Sequence, residues 1–346
     1  MGAAEWWAWT LPATLQATVL LGLAWAADRL WIRRVWPQVL VVLWLLALAR
    51  FFLPPDLGSP LSVTASLGEP TLAAAEFVPG SGVLTSLFAI WIAGASILLV
   101  LRAIGRARLL ARVKLVEPSC EWRRTLDLAV RIVGSRRTPR VGTLDRLATP
   151  ALIGLFRPIL LLPGADLLRT PTQRDTHAVL HELAHWKRGG LRLDELCASL
   201  RAVLWFHPLV WIAVERLHVL GELQCDQTVA RLLGSEARSY RDTLVLAAHR
   251  LAQTPIPRGM RAFASRPSAI LVRIERLDCA APRSRILVRG VSAGLAFALA
   301  ACVLPMAPRA ADLRLEAQQV LDAARRGERP SCFVLHAAAM VLAEKP

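Results

Sequence analysis

The strongest constraint on the fold is the run SGVLTSLFAIWIAGASILLVL at residues 81–101, which contains no charged side chain. About 20 apolar residues in helical form are long enough to cross the hydrocarbon core of a bilayer. Two earlier apolar runs, at residues 11–27 and 35–54, and a later one at 286–306 are close to that length. We therefore predict four membrane-spanning helices, of which the fourth is weakened as a candidate by Arg289.

The composition agrees with a membrane protein, since 55% of the 346 residues are hydrophobic and 20% are charged. A cleaved signal peptide is the alternative for the first run. The leader MGAAEWWAWT lacks the positive charge that such signals carry, so we favour a span.

The formal net charge of +16 is compatible with nucleic acid, anionic lipid or cytoplasmic loops as its cause. The basic segment at residues 102–146 carries no DNA-reading motif, so we expect no direct binding of nucleic acid. Cytoplasmic charge next to a membrane is the simpler explanation.

The distribution of basic residues orients the four spans. The loop between the first two contains Arg29, Arg33 and Arg34, whereas residues 55–80 contain no Lys or Arg. Cytoplasmic loops are enriched in basic residues, so the first loop is predicted to be cytoplasmic and the second external. Residues 102–285 are then cytoplasmic, and residues 307–346 form a short external tail. Arg50 runs against this rule and must either snorkel or face other helices.

The predicted cytoplasmic block reads as a small α+β domain of about 180 residues, within the usual size of one domain. A helix at residues 120–134 precedes two β-like runs, VGTLDRL and ALIG, and then RPILLLP. Residues 156–158 predict a turn between paired strands, and helical stretches follow. We interpret RPILLLP either as an edge strand on which an extended peptide substrate lies or as an ordinary core hairpin.

The motif HELAH at residues 181–185 predicts a zinc site. In a helix, residues four apart lie on one face, so His181 and His185 can bind a single Zn²⁺ while Glu182 reaches a water molecule beside it. Zinc lowers the pKa of such a water and polarises a peptide carbonyl, and Glu182 is the predicted general base.

A chance match of this motif is the alternative, so the site needs a third ligand. Within GELQCDQTVA, Glu222 and Asp226 are also four residues apart. We predict Glu222 as the third ligand and Asp226 as the acceptor of the free N–H of a ligand histidine. A solvated acidic helix face is the alternative for this pair.

Four other residues are left outside the predicted site. Tyr240 is predicted to be a packing residue and His218 a surface residue. Cys225 is predicted to be a small buried filler, because a fourth protein ligand would close the position that water needs. His207 is predicted to be structural.

The chain resembles the BlaR/MecR-type membrane metallopeptidases, the antirepressor sensor-transducers of β-lactam resistance. The likeness lies in TPALIGLFRPILLLP, HELAHWKRG, LWFHPLVW, ELQCD and LVRIERL, which follow the family's order. It implies a four-span protein of the bacterial cell membrane with a cytoplasmic, mainly helical, gluzincin-type zinc endopeptidase domain that carries a small β-sheet. It also implies His181, His185 and Glu222 as ligands and Glu182 as the catalytic residue. The implied substrate is a cytoplasmic winged-helix repressor or the protein's own chain.

Three departures bear on this resemblance. The family commonly has Asp where this chain has Gly190, and Asn where it has His207. Sensor members end in a large external penicillin-binding domain, whereas about forty residues follow the fourth predicted span here and contain no SxxK acylation motif. We therefore expect no direct sensing of β-lactams.

Two rival hypotheses remain. An intramembrane protease would carry HExxH within an apolar span, whereas HELAH is followed at once by charged residues. A non-catalytic membrane transducer or scaffold that retains the peptidase fold is compatible with Gly190 and with the missing sensor domain.

Overall fold

The computed structural model describes residues 3–31, 36–53, 81–145, 147 and 149–253, together with the single positions 273, 274, 277, 294 and 318. The fourth predicted span at 286–306 and the tail at 307–346 lie outside the described residues, apart from two single positions. The chain divides into two compact units: one consists of residues 1–35, 42–92 and 289–346, and the other of residues 36–41 and 93–288.

Apolar helices dominate the first unit. Helix α1 covers Ala3–Trp31. Helix α2 covers Pro37–Ala49, belongs to this unit from residue 42 onward, and continues into a 3-10 turn at Arg50–Phe52. Within the described residues, Glu5–Leu30 and Gly82–Ala111 are long and apolar enough to cross a membrane. The second predicted span corresponds to a shorter apolar helix, Pro37–Phe52. The arrangement with four spans therefore stays a prediction.

Arg50 faces another helix of this unit, which is one of the two outcomes that its position allowed. Its side chain is fully buried, and the guanidinium donates to Gln16 Oε1 of α1 and, over 2.8 Å, to the carbonyl of Leu53. A buried guanidinium must be paired because its charge is costly to remove from water. Arg50 thus joins the end of α2 to α1.

The second unit is mainly helical and carries a small mixed sheet. Helix α3, Ser81–Ala111, enters this unit at residue 93. The elements that follow are β1 Lys114–Leu115, α4 Cys120–Val133, β2 Arg140–Thr143, β3 Ala151–Ile153, β4 Ile159–Leu162, α5 Gly164–Leu167, α6 Gln173–Arg188, α7 Gly190–Val203, α8 Pro208–Leu233, a 3-10 turn Gly234–Glu236 and α9 Ala237–Gln253.

The four strands are ordered β1-β2-β4-β3. β3 and β4 form the predicted hairpin and pair Leu152 with Leu160, whereas β2 and β4 run parallel. The edge-strand interpretation of RPILLLP is therefore wrong, because β4 is paired on both sides. Among the described strands, β3 lies at the edge of the sheet and pairs with β4 alone. β1 was not predicted, since two residues are too few to show a periodic pattern.

The helix that carries HELAH is held in the core of this unit. Val179, Leu180 and Leu183 of α6 are buried against α4 and the sheet. Helix α4 begins at Ser119, whose side chain accepts from Trp122 N, and ends at Gly134 with φ +70°. This packing fixes one face of α6, and the opposite face remains available to α8 and α9.

The start of α6 is fixed by charge. Asp175 Oδ2 accepts from the backbone N–H and the hydroxyl of Thr172, both over 2.7 Å. Arg169 donates to both carboxylate oxygens of Asp175 and also to Asp166. Although partial burial raises the pKa of Asp175, the bonds from Arg169 and Thr172 keep that pKa below its ordinary value. An acidic residue in the first turn of a helix also suits the helix dipole.

We predict that Gly154→Ala destabilises the β3–β4 hairpin. Gly154 has φ +95°, and a Cβ there would lie 2.6 Å from the carbonyl oxygen of Arg157. The expected loss is about 1–3 kcal/mol, seen as a lower thermal midpoint of the detergent-solubilised protein. Gly105→Ala is the control, because a Cβ at this helical position meets nothing within 4 Å. Equal midpoints for the two variants would contradict the prediction.

Candidate metal centre

The predicted ligands meet where α6 crosses α8. His181 Nε2 lies 3.4 Å from Glu222 Oε2, and His185 Nε2 lies 2.9 Å from Glu222 Oε1. One ligand atom from each of the three side chains lies within 4.8 Å of the others. His181 is buried, whereas the side chains of His185 and Glu222 remain 18% and 20% exposed. The group is therefore anchored on the inside and open to solvent on the outside.

This donor set fits a zinc ion. Ligand atoms about 2.1 Å from a tetrahedral zinc are separated from one another by about 3.4 Å. The distances of 2.9 and 3.4 Å from the imidazoles to Glu222 are close to that separation. Two imidazole nitrogens and one carboxylate leave a fourth position, which is the ligand count of catalytic zinc sites.

Asp226 and Tyr240 orient the first histidine. Tyr240 Oη donates to Asp226 Oδ1 over 2.7 Å, and Asp226 Oδ1 also lies 3.1 Å from His181 Nδ1. Because the tyrosine proton goes to Asp226, Tyr240 Oη acts as an acceptor toward His181 Nδ1, 2.9 Å away. The proton of a neutral His181 then sits on Nδ1, and Nε2 carries the lone pair that faces Glu222. Such outer contacts fix the tautomer of a ligand histidine.

Arg273 neutralises the two carboxylates of α8. Its Nε donates to Asp226 Oδ2 over 2.6 Å, and its Nη1 lies 2.7 Å from Glu222 Oε2. Burial raises the pKa of both acids, but the positive charge of Arg273 and the bonds to histidine outweigh it and keep both pKa values low. Asp226 and Glu222 are therefore ionised. Burial alone would lower the pKa of His181, but Asp226 and Glu222 raise that pKa to about 9. The site attracts cations.

Glu182 lies between α6 and the sheet. Its Oε2 accepts from the backbone N–H of Leu152 in β3 over 2.9 Å. Partial burial raises the pKa of Glu182, and the neighbouring His181 and His185 offset only part of that rise. The N–H of Leu152 points toward Glu182 rather than toward β4, so the edge of β3 that pairs with no strand among the described residues faces the site.

The sequence model of the BlaR1 peptidase M56 family matches residues 9–277, which include all of the site residues described above. The chain belongs to this family.

Curated relatives of the family align with parts of the chain. The regulatory protein BlaR1 of Bacillus licheniformis is 26% identical over 152 residues, which cover 43% of this chain and 25% of that protein. The methicillin resistance mecR1 proteins of Staphylococcus aureus and Staphylococcus epidermidis are 25% identical over 89 residues, which cover 26% of this chain and 15% of those proteins. The chain thus matches a quarter or less of the length of these relatives.

Sequence reasoning missed two residues of the site. Tyr240 was predicted to be a packing residue, but its hydroxyl bonds both Asp226 and His181. Arg273 lies within LVRIERL, one of the stretches that carry the family resemblance, and no role was assigned to it. Neither residue has a ligand-type spacing. The family stretch around Arg273 was the one available signal for it.

Further residues lie around the centre. His218 was predicted to be a surface residue, but its Nε2 lies 3.4 Å from Asp194 Oδ1, and both side chains are largely buried. Cys225 is buried, and it does not belong to the group of three ligand candidates. His207 is buried at the start of α8, in agreement with a structural role.

Gly190 is the first residue of α7 and is separated from the site helix α6 by Gly189. A Cβ at this position would lie 3.0 Å from His185 Nδ1 and 3.1 Å from the carbonyl oxygen of His185. The Asp that is common here in the family would therefore stand beside the outer nitrogen of His185. This chain lacks that carboxylate, and the close approach of α7 leaves little room for any side chain.

We predict that Tyr240→Phe weakens zinc binding about 10- to 100-fold, because it removes the hydroxyl that bonds Asp226 and His181. The affinity is measured by competition with a chromogenic chelator. Thr243→Val is the matched control, since this hydroxyl on the next turn of α9 bonds His177 instead of a ligand candidate. A Tyr240→Phe protein with wild-type zinc affinity would contradict the role of Tyr240.

We also predict that Gly190→Ala lowers the zinc affinity several-fold, because the added methyl group displaces the ring of His185. Gly221→Ala is the control: it also lies next to a ligand candidate, but its Cβ would meet nothing within 4 Å. The same chelator competition measures both variants. The prediction fails if the two bind zinc equally well.

Proposed function

We propose that this chain is a membrane-bound zinc endopeptidase that cleaves a cytoplasmic protein during signal transduction. Membership of a peptidase family and two helices of membrane-spanning length support the general class. The observation that carries the proposal is the group formed by His181, His185 and Glu222, with Glu182 beside it.

The three ligand candidates would hold the zinc ion, which supplies Lewis acidity toward a water molecule and a peptide carbonyl when it is bound. Asp226 and Tyr240 keep Nε2 of His181 directed toward Glu222, where the ion would be held. Arg273 bonds Glu222 Oε2 and so restricts the carboxylate to one orientation.

Glu182 is proposed as the general base. Its Oε2 is held by Leu152, so the second oxygen, Oε1, is the atom that takes a proton from the attacking water. The same carboxyl then gives that proton to the nitrogen of the leaving amine. The raised pKa of Glu182 suits both steps, because proton transfer is most effective when the pKa of the base is near the working pH.

The unpaired edge of β3 is proposed as the platform for the substrate. An extended peptide that pairs with this edge gains backbone hydrogen bonds without requiring particular side chains. The pairing would bring the peptide to the side of β3 on which Leu152 meets Glu182. We propose a cytoplasmic transcriptional repressor, or the protein's own chain, as the substrate, and we expect no direct contact with nucleic acid.

The proposed location is the bacterial cell membrane, with the metal centre on the cytoplasmic side. The basic residues at 102–114, which follow the apolar part of α3, support this orientation. The gluzincin type of site is supported by the carboxylate on a later helix as the third ligand candidate.

We predict that Glu182→Gln keeps zinc but loses about 10²- to 10⁴-fold in the rate of peptide cleavage, because it removes the general base. Zinc per chain is determined by atomic absorption on the detergent-purified protein. Cleavage of the chain itself and of co-expressed winged-helix repressors is followed by gel electrophoresis and mass spectrometry. Glu236→Gln, at an exposed turn, is the matched control.

Two outcomes would count against the proposal. Full zinc with identical fragment patterns in wild type and Glu182→Gln favours a non-catalytic transducer. If the wild-type protein contains no zinc and His181→Ala changes nothing, the assignment of the metal centre is wrong.

A further inference from the structure

The second unit contains a further apolar stretch, which follows the site helix α6. Residues 196–214, LCASLRAVLWFHPLVWIAV, contain one Lys, Arg, Asp or Glu, which is Arg201. Asp194 and Glu195 precede this stretch, and Glu215 and Arg216 follow it. The stretch forms the end of α7, a short turn and the start of α8. It is a helical hairpin in which charged residues resume at about the same distance from the turn on both helices.

The first leg of this hairpin runs antiparallel to α3. Arg102 Nη2 lies 2.8 Å from Glu195 Oε2, and Arg106 pairs with the same oxygen. Trp205, in the turn just after α7, packs on Gly94, which precedes Arg102 on α3 and where an added Cβ would lie 2.7 Å from the indole ring. The contact therefore requires a glycine on α3. Two separated contacts fix the direction and the height of α7 against this part of α3.

These contacts set the depth of the hairpin corner. Arg102 marks the end of the apolar part of α3, and Gly94 lies about 12 Å before it along the helix axis. From Glu195, the end of α7 at Val203 lies about 12 Å along the helix axis, and the corner at Trp205 follows it. If α3 crosses the bilayer, the corner reaches past the level of the first basic residues and into the apolar layer.

The surface of the corner suits that position. Phe206, Trp211 and Ile212, which fall within seven consecutive residues, are each about two-fifths exposed. The guanidinium of Arg201 lies 4.2 Å from the centroid of the Trp211 ring. Arginine and tryptophan are the side chains that anchor a segment at the boundary between headgroups and hydrocarbon.

We propose that the corner formed by residues 204–212 is seated in the cytoplasmic leaflet of the membrane, with Phe206, Trp211 and Ile212 among lipid acyl chains and Arg201 at the lipid phosphates. This proposal rests on the membrane location of α3 given above. Glu222 lies about 21 Å further along α8 than Pro208, so the metal centre would stand in water close to the membrane surface.

The test places an environment-sensitive nitrobenzoxadiazole label on single cysteines. They are introduced at positions 206 and 212 in the full chain, after replacement of its six native cysteines by alanine. The protein is reconstituted into vesicles of phosphatidylethanolamine and phosphatidylglycerol. Quenching is measured with a nitroxide on the lipid acyl chain and, separately, with a water-soluble nitroxide.

Two control positions separate the possible failures. Ile97 is an exposed position within the apolar part of α3, and Leu168 is 91% exposed and lies next to α5, well outside the apolar stretches. We expect the lipid nitroxide to quench labels at 206 and 212 as strongly as at 97, and to leave the label at 168 unquenched. The soluble nitroxide should show the opposite pattern.

The other results overturn the proposal in different ways. Quenching at 97 but not at 206 and 212 removes the membrane seat of the corner and leaves the proposed function intact. If both nitroxides fail to reach 206 and 212, protein covers the corner instead of lipid. If the label at 97 is not quenched by lipid, α3 is outside the bilayer and the membrane part of the proposed function fails as well.

Discussion

The candidate metal centre depends on the buried carboxylate of Asp226. A buried charge is stable only when it is paired and hydrogen-bonded, and Asp226 satisfies this condition with Tyr240, His181 and Arg273. These partners come from α9, from α6 and from a segment beyond α9. The carboxylate therefore draws three separate parts of the chain toward α8. The orientation of His181 is one result, and the anchored position of Glu222, one turn away on the same helix, is another.

Contacts between residues that are close in sequence follow from helix geometry. The spacing of four places His181 beside His185, and Glu222 beside Asp226, on single helix faces, and the structure brings the two pairs together. Helix α4 and strands β2 to β4 also follow from local patterns. The helix limits at Ser119 and Gly134 come from ordinary capping chemistry.

Contacts between residues that are far apart in the sequence could not be predicted from local patterns. The parallel contact between β2 and β4 places β4 inside the sheet, and nothing in RPILLLP itself distinguishes an interior strand from an edge strand. Tyr240 reaches the site because α9 packs there, and Arg273 reaches it from a position far beyond Asp226 in the sequence. Their side chains have no spacing that marks them in advance. Gly190 departs from the family pattern in the sequence, but its closeness to His185 depends on how α7 turns back after α6.

The hydrogen bond between Leu152 and Glu182 also bears on the position at which a substrate is cleaved. It ties the general base candidate to one residue of the edge strand, so the base and the strand share a common reference point. A peptide that pairs with β3 in one register presents one peptide bond opposite Glu182, and a shift of two residues presents another. The register of the peptide against β3 would then determine which peptide bond is cleaved.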